Sequence, residues 1–379
     1  MTAAASKTGG DTPPPLRVAV LGSRGYPSTY GGFETFVRRI GPWLANRGHT
    51  VVVYGRGGRI RSERDIDGLH VVDTRGLTGK TSSTVTHGLT GAIHCWRHRP
   101  DVVLVLNVAN GPAILVLKLL RIPVVVNVDG IEWERDKWGR LARRCFRLGA
   151  RLAARFADVL VADSREVVRV WERDFHVTPT FIPYGADVID GLPSNRVKAL
   201  GLTPGGYALA VARLVPENNV ELFADAMEEL EWSVPAVVVG EASYDNGLEP
   251  RLRSHMASGE LLWLGHVDDQ ELLGELWANA GVYFHGHSVG GTNPALLQAL
   301  GFGAPTIAVD TAYNREVLAD DQQVVAPNAT HVAGAVRALM NDQPERRRRA
   351  AAGRETVGSR YPWDRILEAY EAELAALCR

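Results

Sequence analysis

The sequence predicts an α/β protein of two doubly wound, Rossmann-like lobes that face each other across a cleft. The chain has 379 residues, about twice what one hydrophobic core normally organises. Short β-branched segments alternate with amphipathic helical stretches, which is typical of parallel sheets covered by helices on both faces. This alternation occurs in two series, separated by a polar stretch with several glycines and prolines over residues 185–206.

The first lobe is predicted to span residues 16–190 and to open with a β-α-β unit. Its first strand covers residues 17–21, and the helix after it has apolar residues at three- and four-residue spacing before Gly48. These residues are Phe33, Phe36, Val37, Ile40 and Leu44. Six more strands are predicted at residues 50–54, 70–73, 101–106, 123–128, 159–162 and 180–183.

The second lobe is predicted to span residues 200–360. Its strands are predicted at residues 207–212, 236–239, 261–264, 282–285, 305–309 and 323–325, with helices between them. Residues 361–379 place their apolar side chains on one helical stripe, which we expect to pack back on the first lobe. Residues 1–15 have too little apolar content to offset the entropy of ordering them, so we expect a disordered tail.

Composition and charge exclude several functional classes. With 42 Lys and Arg against 43 Asp and Glu, the chain lacks the positive field of a nucleic-acid-binding protein. Cys95, Cys145 and Cys378 lack the paired spacing of a disulfide framework or a zinc site. No apolar run reaches about 18 residues, and the start lacks the pattern of a signal peptide, so we expect a cytoplasmic protein.

The loop over residues 22–32 joins the first strand to the first helix and is rich in glycine, which lets a backbone approach a ligand closely. A dinucleotide site is one interpretation, but the glycine spacing is not Gly-x-Gly-x-x-Gly. The second strand also ends in Tyr54-Gly55-Arg56, where an NAD site needs an acid for the ribose. A tight turn without a ligand is the other alternative.

Polar and aromatic residues follow the strand predicted at residues 123–128. Asp129 lies at the strand end, the position from which α/β enzymes present their working side chains. Glu132, Trp133 and Trp138 come soon after it, and such acids and rings suit the hydroxyl groups and faces of a sugar. The alternative is a solvated, charged start of a helix.

Two loops of the second lobe suit a diphosphate. Arg213 follows the first strand of this lobe and brings a fixed charge with planar donors. The loop over residues 287–294 precedes a helix predicted at residues 295–300, whose start offers backbone N–H groups and a positive dipole end. Such donors can hold the charge that grows on a leaving diphosphate. No Asp-x-Asp sequence stands at a strand end, and Asp268-Asp269 is predicted to begin a helix, so no metal is expected.

Taken together, these motifs resemble the family 4 retaining glycosyltransferases of the GT-B fold. Within that family the chain is most similar to bacterial rhamnosyltransferases whose first lobe is catalogued as a domain of unknown function. The resemblance covers nearly the whole chain from Arg17. It rests on Gly-Ser-Arg-Gly-Tyr-Pro from Gly22, Tyr-Gly-Gly-Phe-Glu from Tyr30, Asp-Gly-Ile-Glu-Trp from Asp129, Ile-Pro-Tyr-Gly-Ala-Asp from Ile182, Pro-Glu-Asn-Asn from Pro216, and His-Gly-His-Ser-Val-Gly-Gly-Thr-Asn-Pro from His285.

The resemblance implies a retaining transferase, with neither metal nor cofactor, that moves L-rhamnose from dTDP-rhamnose onto a glycan or lipid-linked acceptor in polysaccharide biosynthesis. The first lobe would bind the acceptor, and the second lobe would bind the nucleotide sugar. Asp129 and Arg213 would be catalytic. The substrate-binding residues would be Gly31, Gly32, Glu132, Asn218, His287, Gly290, Gly291, Thr292, Asn293 and Gln298.

The chain departs from the family pattern at several of these positions. Asn218 stands where the family has a lysine, so one positive charge is missing. Gln298 stands at the second of two family glutamates, and the first is replaced within Val289-Gly290. Asp129 replaces a histidine. Two rivals therefore stay open: a non-catalytic partner that binds nucleotide sugars, and a nucleotide-sugar epimerase of the same two-lobe fold.

The segment over residues 135–156 is predicted to be a basic amphipathic helix. Its apolar stripe consists of Leu141, Cys145, Leu148, Leu152 and Phe156, and its arginines are Arg140, Arg143, Arg144, Arg147, Arg151 and Arg155. Such a helix can lie on an anionic membrane surface, where a lipid-linked acceptor would be found. The alternative is a stripe that faces the protein core with a solvated charged back.

Overall fold

A computed structural model describes residues 14–28, 31–57, 62–77, 82–135, 138–242, 247–318 and 323–378. Most of the predicted N-terminal tail, residues 1–13, lies outside the described residues. The chain forms two Rossmann-like α/β lobes, each with a mainly parallel sheet, which confirms the predicted fold class. Among the described residues, no helix has the length and apolar character needed to cross a membrane.

The first lobe contains one sheet and its covering helices. Its strands are β1 (Arg17–Leu21), β2 (Thr50–Arg56), β3 (Ser62–Ile66), β4 (Leu69–Thr74), β5 (Val102–Leu106), β6 (Val124–Asn127), β7 (Val159–Ala162) and β8 (Thr180–Phe181). Its helices are α1 (Gly32–Asn46), α2 (Ser82–His98), α3 (Gly111–Leu119), α4 (Arg140–Phe156) and α5 (Arg165–Phe175). Every strand predicted for this lobe is confirmed with small shifts at its ends, and β3 is an addition.

The strand order of the first sheet is β3-β4-β2-β1-β5-β6-β7-β8, and only β3 runs antiparallel to its neighbour. β3 turns into β4 through Asp67 and Gly68, which have φ angles of 51° and 76°, as a two-residue hairpin turn requires. The sequence Ser-Glu-Arg-Asp-Ile of β3 is mostly exposed and lacks apolar alternation. Its pattern therefore does not predict a strand. The Asp-Gly turn is the only local sequence signal for the β3-β4 hairpin.

The second lobe contains an all-parallel sheet in the order β11-β10-β9-β12-β13-β14. Its strands are β9 (Ala208–Val211), β10 (Ala236–Val239), β11 (Leu261–Trp263), β12 (Val282–His285), β13 (Thr306–Val309) and β14 (Val324–Val325). Its helices are α6 (Asn195–Ala199), α7 (Val220–Glu229), α8 (Leu248–Ala257), α9 (Gln270–Ala278), α10 (Pro294–Gly301), α11 (Ala312–Leu318), α12 (Ala329–Asn341) and α13 (Gln343–Arg360). The six predicted strands are confirmed, and Asp269 caps α9 as predicted.

The two lobes approach each other closely at glycine residues. A Cβ atom added to Gly130 of the first lobe would lie 2.7 Å from the Cα atom of Gly290 in the second. A Cβ atom added to Gly32 would lie 3.2 Å from Cγ of Pro294. Larger side chains at these positions would hold the lobes apart, so glycine permits the close approach.

The last helix, α14 (Trp363–Ala376), lies on the first lobe. The chain returns to that lobe at a bridge between Ala186 and Pro362. Asn127 Nδ2 then donates a hydrogen bond of 2.6 Å to the Tyr370 hydroxyl group, at the end of β6. Glu371 forms an ion pair with Arg47, whose Nε atom is 2.7 Å from Oε2. The helix therefore ties the end of the chain to the lobe in which it begins.

Helix α4 turns most of its predicted apolar stripe away from the core. It packs instead through Phe146, Gly149, Ala150 and Ala153. Within the stripe, Leu141 and Leu148 are 77% and 54% exposed, and Cys145 is also exposed, while Leu152 and Phe156 are partly buried. The core-facing alternative is therefore wrong for most of the stripe, because small residues on another face provide the close contact.

Candidate functional site

A cavity of about 470 Å³ lies between the lobes, at the carboxyl ends of both sheets. The first lobe lines it with residues that follow β1, β5, β6 and β7, and the second lobe with residues that follow β9, β10 and β12. The strand order of each sheet reverses here, which is where doubly wound folds bind their ligands. This cleft is therefore the candidate site.

Eleven of the twelve predicted site residues line the cavity. They are Gly31, Gly32, Asp129, Glu132, Arg213, Asn218, His287, Gly291, Thr292, Asn293 and Gln298. Gly290 is not among the lining residues but packs against two of them: a Cβ atom there would lie 3.1 Å from Arg135 Nη2 and 3.4 Å from His287 Nε2. The fold thus brings together motifs that are far apart in the sequence.

Asp129 lies two residues beyond the end of β6 and has a positive φ of 61°, a backbone conformation that is uncommon outside glycine. Its Oδ2 atom accepts a hydrogen bond of 2.8 Å from Asn107 Nδ2, and its own N–H group donates to Asn127 Oδ1. Burial raises the pKa of its carboxyl group, and the charge of Glu132 raises this pKa further. Asp129 is therefore held in a fixed position, with an increased tendency to carry a proton.

Arg135 is a buried cation among carboxyl groups of both lobes. Its Nε atom lies 2.9 Å from Glu132 Oε1, and its Nη1 atom lies 4.0 Å from Oε1 of Glu217 in the second lobe. Burial alone would lower the pKa of Arg135, but the surrounding carboxylates outweigh burial and raise it. These carboxylates belong to Glu132, Asp129, Glu217 and Asp163. Because a buried charge needs a partner, Arg135 stabilises the acids that meet at the cleft.

Asp163 directly follows β7, the strand next to β6 in the sheet, and only 2% of it is exposed. Its backbone oxygen accepts a hydrogen bond from the hydroxyl group of Thr292, which lies on the second lobe. Burial raises the pKa of its carboxyl group well above the usual range, and the charge of Asp129 adds to this. Among the described residues, its Oδ1 atom has no hydrogen-bond partner. A buried carboxyl group with a raised pKa therefore lines the cleft.

We expect Gly291→Ala to lower thermal stability, because Gly291 lies directly against Asp163. A Cβ atom at residue 291 would be 1.6 Å from Asp163 Oδ1. Overpacking of a buried contact typically costs about 1–3 kcal/mol. The measurement is the thermal midpoint of unfolding, with Gly334→Ala as the control, since open space surrounds that helical glycine. Equal midpoints for the two variants would show that the lobes do not meet at Gly291.

The second-lobe end of the cavity is rich in hydrogen-bond donors. Helix α10 begins there with Pro294, and Asn293 caps it by accepting a hydrogen bond of 2.9 Å from the N–H group of Ala295. The exposed side chain of Arg213 lines the same cavity. A helix start and an arginine together favour a bound anion such as a phosphate group.

Asn218 connects the Arg213 loop to the loop before α10. Its Nδ2 atom donates to the backbone oxygen of Arg213 at 2.8 Å, and its Oδ1 atom lies 2.7 Å from His287 Nδ1. One amide thus provides a donor on one side and an acceptor on the other, which a lysine could not do. The asparagine that replaces the family lysine at this position therefore holds the Arg213 loop and the loop before α10 together.

Two arginines occupy the first-lobe end of the cavity. Arg24 donates its backbone N–H group to Glu34 Oε1 at 3.0 Å, and Arg56 Nη2 donates to Thr84 Oγ1 at 3.1 Å. Burial lowers the pKa of Arg56, the charge of Arg24 lowers it further, and Glu34 opposes both effects. Two cations that repel each other favour a ligand with a negative group.

Arg135, Asp163 and Glu217 were not predicted as site residues. Asp163 carries a signal similar to that of Asp129, because both lie just beyond the carboxyl end of a parallel strand. Arg135 and Glu217 stand beside predicted motifs, but their ion pair forms only when the two lobes face each other. No local sequence pattern gives that distance.

Known families match the chain in both lobes. Residues 31–185 match the family described as glycosyl transferase 4-like domain, and residues 197–356 match glycosyl transferases group 1. A glycogen synthase of Mycobacterium tuberculosis, strain H37Rv, is 24% identical over 396 aligned positions, which cover 93% of each chain.

Solved structures of similar shape also span nearly the whole chain. Sucrose-phosphate synthase from Thermosynechococcus elongatus has a TM-score of 0.78 at 16% identity, and the match covers 95% of this chain and 100% of that chain. Anabaena Alr3699/HepE in complex with UDP-glucose has a TM-score of 0.76 at 16% identity, with the same coverage. At this level of identity, the similarities concern the two-lobed fold.

Proposed function

We propose that this chain, which is a glycosyltransferase of the GT-B fold and of the family-4-like type, uses its cleft to transfer L-rhamnose from dTDP-rhamnose to a glycan or lipid-linked acceptor. Transfer retains the anomeric configuration, needs neither metal nor cofactor, and serves polysaccharide biosynthesis. One observation carries the proposal: Arg213 and the start of α10 on the second lobe line the same cavity as buried carboxyl groups of the first lobe.

The two ends of a nucleotide sugar suit the two sides of this cavity. The diphosphate fits against Arg213 and the start of α10, where charged and backbone donors are available. The sugar then faces Asp129 and Glu132 of the first lobe. A carboxylate accepts hydrogen bonds from sugar hydroxyl groups, and a protonated carboxyl group also donates one. Burial and the charge of Glu132 raise the pKa of Asp129, which favours the protonated form of this carboxyl group.

The proposed reaction exchanges one bond at the anomeric carbon of the sugar. The bond from this carbon to a diphosphate oxygen breaks, and the acceptor oxygen bonds to the same face of the carbon. The proton of the acceptor hydroxyl group moves to the leaving diphosphate. Negative charge grows on the diphosphate as its bond breaks, so donors that are already in place lower the barrier. In this proposal Arg213 and the backbone of Gly291, Thr292 and Asn293 supply those donors.

Gln298 of α10 lines the cavity and supports a deoxyribonucleotide donor. A carboxylate at this position could grip the 2′-hydroxyl group of a ribonucleotide. A neutral amide can instead bond a 3′-hydroxyl group without needing a 2′ partner. We therefore expect faster transfer from dTDP-rhamnose than from UDP-glucose, measured as initial rates of nucleoside diphosphate release with one acceptor.

The matched variant for this test is Gln298→Glu, which we expect to shift the ratio of the two rates toward UDP-glucose by about tenfold. A clear preference of the native chain for UDP-glucose would contradict the rhamnosyl assignment and leave glycosyl transfer intact. Conversion of the donor to its epimer without an acceptor would instead favour the epimerase alternative.

The proposed acceptor lies on the first lobe and carries a negative group. Arg24 and Arg56 line this end of the cavity, and their mutual repulsion falls when an anion binds between them. The phosphate of a lipid-linked glycan has the chemistry that an arginine fork recognises. The two arginines therefore support a lipid-linked acceptor.

The outer face of α4 supports docking at an anionic membrane. Leu141 and Leu148 are exposed on this face. The exposed arginines of the helix are Arg140, Arg144, Arg147, Arg151 and Arg155. Exposed apolar residues among basic ones are typical of helices that lie in the interface of an anionic bilayer.

We expect the chain to co-sediment with phosphatidylglycerol vesicles but not with phosphatidylcholine vesicles. The double variant Arg144→Glu, Arg151→Glu should reduce the bound fraction several-fold, since each basic residue near the surface contributes about 1 kcal/mol. Arg337→Glu with Arg347→Glu, on exposed positions of the second lobe, is the control and should bind like the native chain. Absence of binding to anionic vesicles at low salt would contradict membrane docking.

A further inference from the structure

We propose that the first lobe contains a binding site for a divalent transition-metal ion such as Zn²⁺, formed by Glu63, His70, His94 and His98. These residues lie at the β3-β4 edge of the first sheet and on α2, and none of them lines the cleft. The site is independent of the proposed function, because it would hold the edge of the lobe together and take no part in sugar transfer.

Two strands and one helix bring these side chains to one point. Glu63 pairs opposite Val72, so Glu63, Val72 and His70 lie on the same face of the β3-β4 hairpin. Val72 belongs to a buried cluster that includes residues of α2, so this is the face that α2 covers. His94 and His98 are one turn apart on α2 and therefore project from the same side of that helix.

The distances between donor atoms are close to those of a metal site. Glu63 Oε1 lies 3.7 Å from His94 Nε2, and Glu63 Oε2 lies 3.5 Å from His70 Nε2. Ligand atoms of Glu63, His94 and His98 all lie within 4.8 Å of one another. Four ligands at about 2.0–2.1 Å from a tetrahedral zinc ion would be about 3.4 Å apart. Glu63, His94 and His98 would therefore form the core of the site, and His70 would join it from beside Glu63.

A second set of contacts orients the histidines in the way that metal ligands require. His94 Nδ1 lies 3.2 Å from the hydroxyl group of Tyr54, and His70 Nδ1 lies 2.9 Å from Asp65 Oδ1. The other ring nitrogen, Nε2, faces Glu63 in both cases. Metal-bound histidines almost always use their second nitrogen for such a contact.

His70 adds a further ring nitrogen to this cluster. Its Nε2 atom is buried and, within the described part of the chain, makes no hydrogen bond, although it lies 3.5 Å from Glu63 Oε2. Buried polar atoms are normally satisfied, and a metal ion held between His70 and Glu63 would satisfy this nitrogen. Imidazole and carboxylate groups suit Zn²⁺, Cu²⁺ and Ni²⁺, whereas Mg²⁺ requires oxygen ligands.

Isothermal titration of the full, tag-free chain with ZnCl₂, after treatment with chelator and desalting, tests this proposal. We expect one Zn²⁺ per chain with a dissociation constant on the order of 1 µM or tighter, and no measurable binding of Mg²⁺. His98→Gln and Glu63→Gln should each weaken binding at least about tenfold, and Asp65→Asn about tenfold. His331→Gln, which replaces an exposed histidine of the second lobe, should leave the affinity unchanged.

Anomalous diffraction from crystals grown with Zn²⁺ locates the ion in the native chain without any variant. We expect a peak between Glu63, His70, His94 and His98. Lack of saturable Zn²⁺ binding in the titration, unchanged affinity in folded His98→Gln, or an anomalous peak elsewhere would each overturn the proposal. Loss of sugar transfer would not overturn the proposal, because the proposed metal site and the cleft share no residue.

Discussion

Arg213→Ala is expected to lower the rate of nucleoside diphosphate release by about a hundredfold or more while the chain stays folded. In the proposed reaction, the guanidinium group of Arg213 contacts the leaving diphosphate, and this contact strengthens as negative charge develops. Its loss therefore affects the transition state more than donor binding. Because Arg213 is exposed, its removal leaves no hydrophobic cavity behind, and the thermal midpoint should hold.

The control is Arg337→Ala, which removes an exposed arginine from α12 of the same lobe. Arg213→Lys keeps the charge but loses the planar fork, so its rate should lie between those of the native chain and Arg213→Ala. Circular dichroism and donor turnover are measured on the same samples. Native turnover in a folded Arg213→Ala variant would remove Arg213 from the site.

Arg135→Met is expected to cause the largest loss of stability, about 3–5 kcal/mol in the free energy of unfolding. The side chains of Arg135, Glu132 and Glu217 are only 9%, 7% and 2% exposed. Removing the cation takes a positive charge away from the buried carboxyl groups of both lobes. The measurement is chemical denaturation, followed by circular dichroism.

Arg169→Met is the matched control for this variant. Arg169 pairs with Glu166 at the same i,i+3 spacing and the same 2.9 Å distance as Arg135 with Glu132, but 70% of the Arg169 side chain is exposed. Exposed pairs contribute less than about 1 kcal/mol. Adding Glu217→Gln to Arg135→Met should recover part of the loss, because it removes one of the buried negative charges near the lost cation. Equal losses for Arg135→Met and Arg169→Met would contradict the buried network.

Most of the fold could be predicted because buried parallel strands leave a strong local signal. Strands such as β5 and β10 are continuous apolar runs whose every residue is buried. β3 has no such signal, because an exposed antiparallel edge strand depends on its partner rather than on apolar alternation. Helix α4 shows a different limit of prediction. Its sequence contains the apolar stripe, but Phe146 and Gly149, which lie outside that stripe, make the core contact. Periodicity does not tell which face the rest of the protein covers.

In the candidate site, too, some residues could be predicted from the sequence and others could not. Asp129 and Arg213 could be predicted because each follows a strand at the edge where both sheets end. The ion pair of Arg135 with Glu217 could not, since it depends on how closely the lobes approach. The proposed metal site also depends on tertiary structure. His94 and His98 are neighbours on one helix, but Glu63 reaches them only through the β3-β4 hairpin, whose first strand could not be predicted from its sequence.

The proposed activity of the cleft is the transfer of a sugar from a nucleoside diphosphate donor to an acceptor. The most direct measurement incubates the purified chain with a panel of nucleotide sugars and with glycan or lipid-linked acceptors, and follows nucleoside diphosphate release together with the mass of the acceptor. We predict acceptor-dependent release, highest with dTDP-rhamnose, and an acceptor that gains the mass of one deoxyhexose residue, with both signals strongly reduced in Arg213→Ala. A native chain that releases no nucleoside diphosphate and glycosylates no acceptor with any donor of the panel would contradict this proposal.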